Sequence, residues 1–135
     1  MSPALLPLLV VGDDASFCYL MQRYAQKAAC PVVTAHFADD ALDIALRQTP
    51  LVVIVELDTP GDKGLHILNA LKAHPLTRSI PVILCSWTAE ADPCLDEGAA
   101  LYLRKPILYD DFQTALADVG VDVNSADRSK NLSMA

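Results

Sequence analysis

The run LVVIVEL at residues 51–57 constrains the fold most. A strand turns successive side chains to opposite faces, and this one presents apolar groups to both, so both faces must be covered. That pattern predicts a central strand of a parallel sheet with helices on each side. Other apolar runs of strand length recur along the chain: LLVV (8–11), VVTAH (32–36), IPVILCS (80–86) and ALYLR (100–104). Segments with helical spacing separate them. Phe17, Leu20, Met21, Tyr24, Ala25 and Ala28 fall on one stripe, with Gln22, Arg23, Gln26 and Lys27 facing outwards. Ala41, Leu42, Ala45 and Leu46 make a narrower stripe, with Asp39 or Asp40 as its cap and Pro50 just beyond its end. LHILNALKA (65–73) is a third helix stopped by Pro75, and Phe112, Leu116 and Val119 mark a last helix opened by Asp110 or Asp111. The stretch 88–98, TAEADPCLDEG, carries Pro93 in its middle and few apolar positions, which predicts a short or broken helix.

Five strand–helix units of this kind connect by right-handed crossovers into one α/β domain, and 135 residues do not suffice for two. The domain is expected over 1–120, with 121–135 a flexible tail or the start of a linker, because the chain turns polar after Gly120. A net charge of −7 with lysines and arginines scattered singly leaves no basic stripe, which argues against a nucleic-acid surface. The apolar start PALLPLLVVG lacks a basic flank, is too short to cross a bilayer and carries Pro7, so no membrane association is expected and the location is cytoplasmic. Cysteines 18, 30, 85 and 94 show no metal-ligand spacing, which suits reduced thiols used as small hydrophobes.

Parallel α/β sheets gather their functional groups at the carboxyl ends of the strands. Here those ends carry Gly12-Asp13-Asp14, then Glu56 and Asp58, then Ser86, then Lys105-Pro106. Carboxylates so crowded repel one another unless a cation lies among them, and Mg²⁺ is the natural occupant of an oxygen-rich site. An ammonium and a hydroxyl beside them would hold the oxygens of a phosphoryl group on a carboxylate. Taken singly, each motif has a plain explanation, the acidic pair as a helix cap and Lys-Pro as a turn. The information lies in the set and its order.

On these motifs the chain resembles the receiver (CheY-like) domain of bacterial two-component response regulators, from residue 5 to about 119. VVGDD is similar to the family's first acidic pair and VIVELDTPGDKGL to its acceptor strand and loop. Ser86 in IPVILCSW stands for its strand-four hydroxyl, and Lys105 in GAALYLRKP for its lysine. Tyr102 falls where the family carries the aromatic that moves with the hydroxyl residue on activation. The resemblance implies a flavodoxin-like (βα)5 fold, a doubly wound parallel five-stranded sheet in the order 2-1-3-4-5. It implies a non-enzymatic module in phosphorelay signalling, partnered by a histidine kinase or other signalling protein. It further implies a switching face, open to homodimerisation, around the fourth helix, fifth strand and fifth helix.

Two departures from the family bear on mechanism. Counted back four residues from Pro60, the acceptor position falls on Glu56, where the family has aspartate. A gapless reading through the first helix places Gly12 at the first acidic position and Asp13 at the second. The expected consequence is an atypical, phosphorylation-independent receiver acting through protein–protein contact. Its Mg²⁺ site is weakened and would rest on Asp13, Glu56 and the backbone carbonyl of Asp58, with Asp14 as a partial substitute for the missing carboxylate. Asp58 is the weaker candidate for the acceptor, because it lies two residues into the loop.

Two other readings stay open. VVIVELDTPG also resembles the D-x-D-x-T motif of Mg²⁺-dependent haloacid-dehalogenase-like phosphatases, with Thr59 one place early, but there the nucleophile strand comes first and the acidic pair last. A plain flavodoxin-like binding module would need a phosphate-cradling glycine loop, and VVGDDAS is too acidic for one. His36, His66 and His74 are isolated and read as structural or solvated. Trp87 is bulky where the family usually has a small residue, and would pack over the fourth helix or contact a partner.

Overall fold

The computed structural model describes residues 6–36, 38–58, 63–88 and 98–121. Five strands and four helices alternate through them: β1 (Leu8–Val11), α1 (Ala15–Lys27), β2 (Val32–Ala35), α2 (Ala38–Gln48), β3 (Val52–Glu56), α3 (Lys63–Ala73), β4 (Val82–Ser86), β5 (Leu101–Arg104) and α4 (Tyr109–Asp118). The strands form one parallel sheet in the order β2-β1-β3-β4-β5. This is the flavodoxin-like order that the resemblance implies.

The two-sided apolar run is indeed the centre of the sheet. Every residue of β3 and of β4 is buried, whereas the edge strand β5 is only partly so. Alternate residues feed two separate cores, as the strand pleat requires. Leu8, Val10, Ile54 and Ile83 pack with Phe17, Met21, Phe112 and Leu116 beneath α1 and α4. Leu9, Val11, Val53, Val55 and Leu84 pack with Ala41, Ala45, Leu68 and Leu71 beneath α2 and α3.

Backbone bonds carry the ladder past the strand ends and align them. Gly12 N–H donates to the Ala35 carbonyl at 3.1 Å, Leu57 N–H to Cys85 at 2.9 Å and Lys105 N–H to Ser86 at 2.7 Å. Gly12, Glu56, Ser86 and Lys105 therefore emerge side by side along one rim. The Lys105–Pro106 peptide is cis.

Two helix starts differ from expectation. α2 begins at Ala38, so Asp39 and Asp40 lie in its first turn rather than before it. α4 begins at Tyr109, and the Asp111 carboxylate reaches back to accept from the N–H of Leu108 at 2.9 Å. An acidic side chain at the third helical position satisfies an orphan donor as well as one ahead of the helix does. The short fourth helix expected at 88–98 and the tail expected at 121–135 fall almost wholly outside the described residues.

Candidate functional site

Gly12 follows the last residue of β1, and Asp14 caps the helix that comes next. Its Oδ1 accepts from the N–H groups of Ser16 at 2.8 Å and Phe17 at 3.4 Å, which ties the carboxylate to the α1 N-terminus. Asp13 is exposed beside it.

Glu56, the last residue of β3, points into the rim and is only 3% exposed. Its Oε2 lies 2.6 Å from Lys105 Nζ, and its Oε1 accepts from Asp14 N–H at 3.3 Å. Gly12 makes room for it. A Cβ built on Gly12 would stand 2.9 Å from Glu56 Oε1 and 3.0 Å from Glu56 Cβ, closer than real contacts allow. The missing side chain at 12 and the longer one at 56 are thus two halves of one steric fit. The Gly12 carbonyl is also occupied, accepting from Cys18 Sγ at 3.5 Å and lying 3.1 Å from His36 Nδ1.

Lys105 follows β5 and serves two carboxylates, with Asp58 Oδ2 at 2.9 Å in addition to Glu56. Its ammonium also stands 4.9 Å from the Phe17 ring centroid and 5.8 Å from that of Trp87. Burial alone would lower its pKa, but the hydrogen bonds and charges of Glu56 and Asp58 outweigh that and raise it.

Asp58 takes more than the lysine. Ser86 Oγ donates to its Oδ1 at 2.6 Å, and Trp87 N–H approaches Oδ2 at 3.1 Å and Oδ1 at 3.3 Å. Burial opposes the charged form, yet the bonds from Ser86 and Lys105, with the lysine's charge and the Trp87 amide, hold this carboxyl below the usual carboxylate range. Beyond Ser86 the contacts continue outwards. Ser86 Oγ accepts from Thr88 N–H at 3.1 Å, and the Thr88 carbonyl accepts from Tyr102 Oη at 2.7 Å. Arg104 Nε donates to the Trp87 carbonyl at 3.3 Å. Trp87 itself is 60% exposed and, with Phe17, Leu20, Pro106 and Ile107, lines an apolar groove above Lys105.

Glu56, Asp58, Ser86 and Lys105 are therefore in direct contact, and Tyr102 connects through Thr88. Nothing in the sequence marks the Asp58 side chain as the centre of that network, or Gly12 as the space that Glu56 fills. His66 is exposed on α3, and His74 Nδ1 accepts from Leu76 N–H at 3.1 Å in the turn after that helix.

Receiver domains typically bind Mg²⁺ at an acidic pocket. The side chains of Glu56, Asp14 and Asp58 are not disposed for that ion in this arrangement. Mg²⁺ demands near-octahedral oxygen ligation. Both Glu56 oxygens already face donors, Asp14 is spent on the helix cap, and Asp58 is ringed by a hydroxyl, an amide and an ammonium. Among the described residues, no group of three or more His, Cys, Asp or Glu side chains is disposed to hold a metal.

Comparison with known proteins agrees with this fold. The family described as the response regulator receiver domain matches residues 8–117. The sensory/regulatory protein RpfC of Xanthomonas campestris pv. campestris (strain 8004) is 31% identical over 121 residues, covering 84% of this chain and 16% of that protein. The response regulator PleD of Caulobacter vibrioides (strain NA1000 / CB15N) is 31% identical over 103 residues, 74% of this chain and 23% of that protein. The chain thus spans less than a quarter of either relative's length. Among solved structures, the bacteriophytochrome response regulator AtBRR superimposes with a TM-score of 0.74 at 29% identity, covering 89% of this chain and 96% of that one. A response regulator receiver domain protein from Clostridium thermocellum gives a TM-score of 0.75 at 26% identity, covering 95% and 99%.

Proposed function

The chain belongs to the response regulator receiver domain family, and we propose that within two-component signalling it works as an atypical receiver, acting by protein contact without accepting a phosphoryl group. The single observation that carries this reading is the buried Glu56–Lys105 pair, 2.6 Å long, at the end of β3. Counted from Pro60, Glu56 occupies the acceptor position. Its carboxylate is one methylene further from the backbone than an aspartate's and is held in place by Lys105 and Asp14 N–H. In-line transfer tolerates little displacement, since errors of about 1 Å already cost on the order of a hundredfold in rate. The lysine that would meet a phosphoryl oxygen is already neutralised from within.

Receiver domains are generally non-enzymatic signalling modules that interact with kinases and other signalling proteins. For this chain the proposed partners are a histidine kinase or another signalling protein, or a second copy docked through the face of β5 and the last helix. The proposed location is the cytoplasm. Among the described residues, no helix is long and apolar enough to cross a membrane.

Intact-mass measurement after incubation with Mg²⁺ and a small-molecule phosphodonor tests the central point. The native chain is expected to gain no mass, and a phosphoryl group mapped to Glu56 or Asp58 would overturn the reading. A Glu56→Asp variant run beside it separates two causes of silence. A gain on the variant alone makes Glu56 the sole block and favours a locked switch; no gain on either makes the domain a docking module.

A further inference from the structure

The connection that leaves β5 is held from α1 by a side chain outside the rim. Tyr24 donates its hydroxyl to the Ile107 carbonyl at 2.8 Å, across 83 residues of sequence. That carbonyl lies two residues past Lys105 and just ahead of the α4 cap at Leu108, beyond reach of the helix's own hydrogen bonds. Upstream, Lys105 N–H is tied to the Ser86 carbonyl at 2.7 Å. Lys105 and Pro106 are thus pinned on two sides, by the sheet and by α1. The Tyr24 ring is itself placed by packing. Its centroid lies 5.4 Å from that of Tyr109 and 5.5 Å from that of Phe112, both on α4 and both tilted as aromatic pairs prefer. Lys27, further along α1, sets its ammonium 4.4 Å from the Tyr109 centroid. Burial, and then the charge of Asp111, push the Tyr24 phenol pKa up, so the hydroxyl keeps the proton it donates.

We infer that Tyr24 is a positioning residue for Lys105, a latch by which α1 fixes the 105–107 connection and, through it, the ammonium between Glu56 and Asp58. The latch also sets the width of the groove above Lys105, because Phe17 and Leu20 of α1 form one wall and Pro106 and Ile107 the other. A shift of α1 against α4 would move the Tyr24 ring with its two aromatic neighbours, and the Ile107 carbonyl with the hydroxyl. Such a shift reaches Lys105 without passing through Asp58, Ser86 or Tyr102. What the latch does goes beyond the receiver reading above, and depends on it only for the meaning of the Glu56–Lys105 pair.

The test uses the full chain, natively and as Tyr24→Phe and Tyr109→Phe. Each substitution keeps the ring and deletes one hydroxyl, and Tyr109→Phe leaves the Tyr24–Ile107 bond in place, so it is the control. Two signals, read by NMR at one fixed pH, report on the latch: hydrogen exchange of the Lys105 backbone amide, and exchange of its ammonium protons with water. In Tyr24→Phe both should quicken about fivefold, the order of one hydrogen bond lost from the connection. In Tyr109→Phe both should stay at their native rates. Native exchange at Lys105 in Tyr24→Phe overturns the inference. So does a lowered melting temperature with Lys105 unchanged, because that is what a merely structural hydroxyl gives. Equal acceleration in the two variants also overturns it, since the effect then belongs to the packing of the cluster and not to the bond. Neither signal involves phosphoryl transfer, so failure of the latch would leave the silence of Glu56 standing, and a phosphorylated Glu56 would leave the latch standing.

Discussion

The inner and outer halves of the rim solve the same problem, a carboxylate beside Lys105, by different physics. The inner half, Gly12–Glu56–Lys105, is dry and settled by shape: Glu56 fits only because position 12 has no Cβ, and its charge is met by one ammonium and one amide. The outer half, Asp58–Ser86–Trp87–Tyr102, is settled by hydrogen bonds at the edge of solvent, where water could replace any one of them. The contrast assigns different consequences to the two. On the proposed reading, the inner half would govern whether chemistry is available at the end of β3, and the outer half the arrangement of the β4–β5 rim.

Removing the shared lysine should cost the inner half far more than the outer. Lys105→Met leaves Glu56 buried without its ammonium, and loss of one member of a buried pair costs about 3–5 kcal/mol. Asp58 would meanwhile be rescued by water. Urea denaturation checks the magnitude, and a loss under about 1 kcal/mol, the range of an exposed pair, would dissolve the distinction. The sign with pH follows from the raised pKa of Lys105. Its contribution is fully present below the ordinary lysine pKa and disappears as pH rises through the folded value, so the native chain should lose more stability at alkaline pH than Lys105→Met does.

Gly12→Ala attacks the inner half by shape alone. The new Cβ meets a carboxylate pinned by Lys105 and the Cβ of Glu56, and overpacking of this kind costs about 1–3 kcal/mol. In a Glu56→Ala background that clash with Oε1 is gone, so the double variant should cost less than the sum of the singles. A thermal-unfolding double-mutant cycle measures the coupling, and strict additivity would show that positions 12 and 56 are independent.

What the sequence makes legible divides along the same line. LVVIVEL announces the buried central strand because both of its faces are apolar, and the ends of three strands name Glu56, Asp58, Ser86 and Lys105 before any geometry. Gly12 is visible in sequence only as a lost acid. Its steric partnership with Glu56 joins residues remote along the chain, and register alone brings them together. For Asp58 the family resemblance suggests a role for the backbone carbonyl, and nothing in ELDTPG fixes which way a loop side chain turns. Asp111 caps its helix from within the first turn rather than from ahead of it, and the two arrangements leave the same trace in sequence.

Asp58→Asn keeps the shape of the outer half and removes its charge, so the stability cost should be about 1 kcal/mol, that of an exposed or partly exposed pair. Because the Asp58 carboxyl is held below its usual range, its contribution is present above the ordinary aspartate pKa and is lost as pH falls through the folded value. Acid titration of stability should accordingly be shallower in Asp58→Asn than in the native chain. An unchanged acid limb would mean that the Ser86, Trp87 and Lys105 contacts do not hold the carboxylate.

The smallest expected effect is the most telling about direction. Tyr102→Phe removes one hydroxyl, whose bond to the Thr88 carbonyl lies at the surface, and should cost about 0.5 kcal/mol, the low end for a single hydrogen bond. Stability is a poor readout for it, but Trp87 is a good one. If residues 86–88 are held chiefly by Asp58, the tryptophan emission of Tyr102→Phe should match that of the native chain, while Asp58→Asn shifts it. If instead Tyr102→Phe shifts the emission as much as Asp58→Asn does, the aromatic holds the rim and the carboxylate follows. Coupling between them would then run inwards from the β5 face, where a partner would bind, to the pocket, and the inner half would be the only part of the rim fixed by the chain itself.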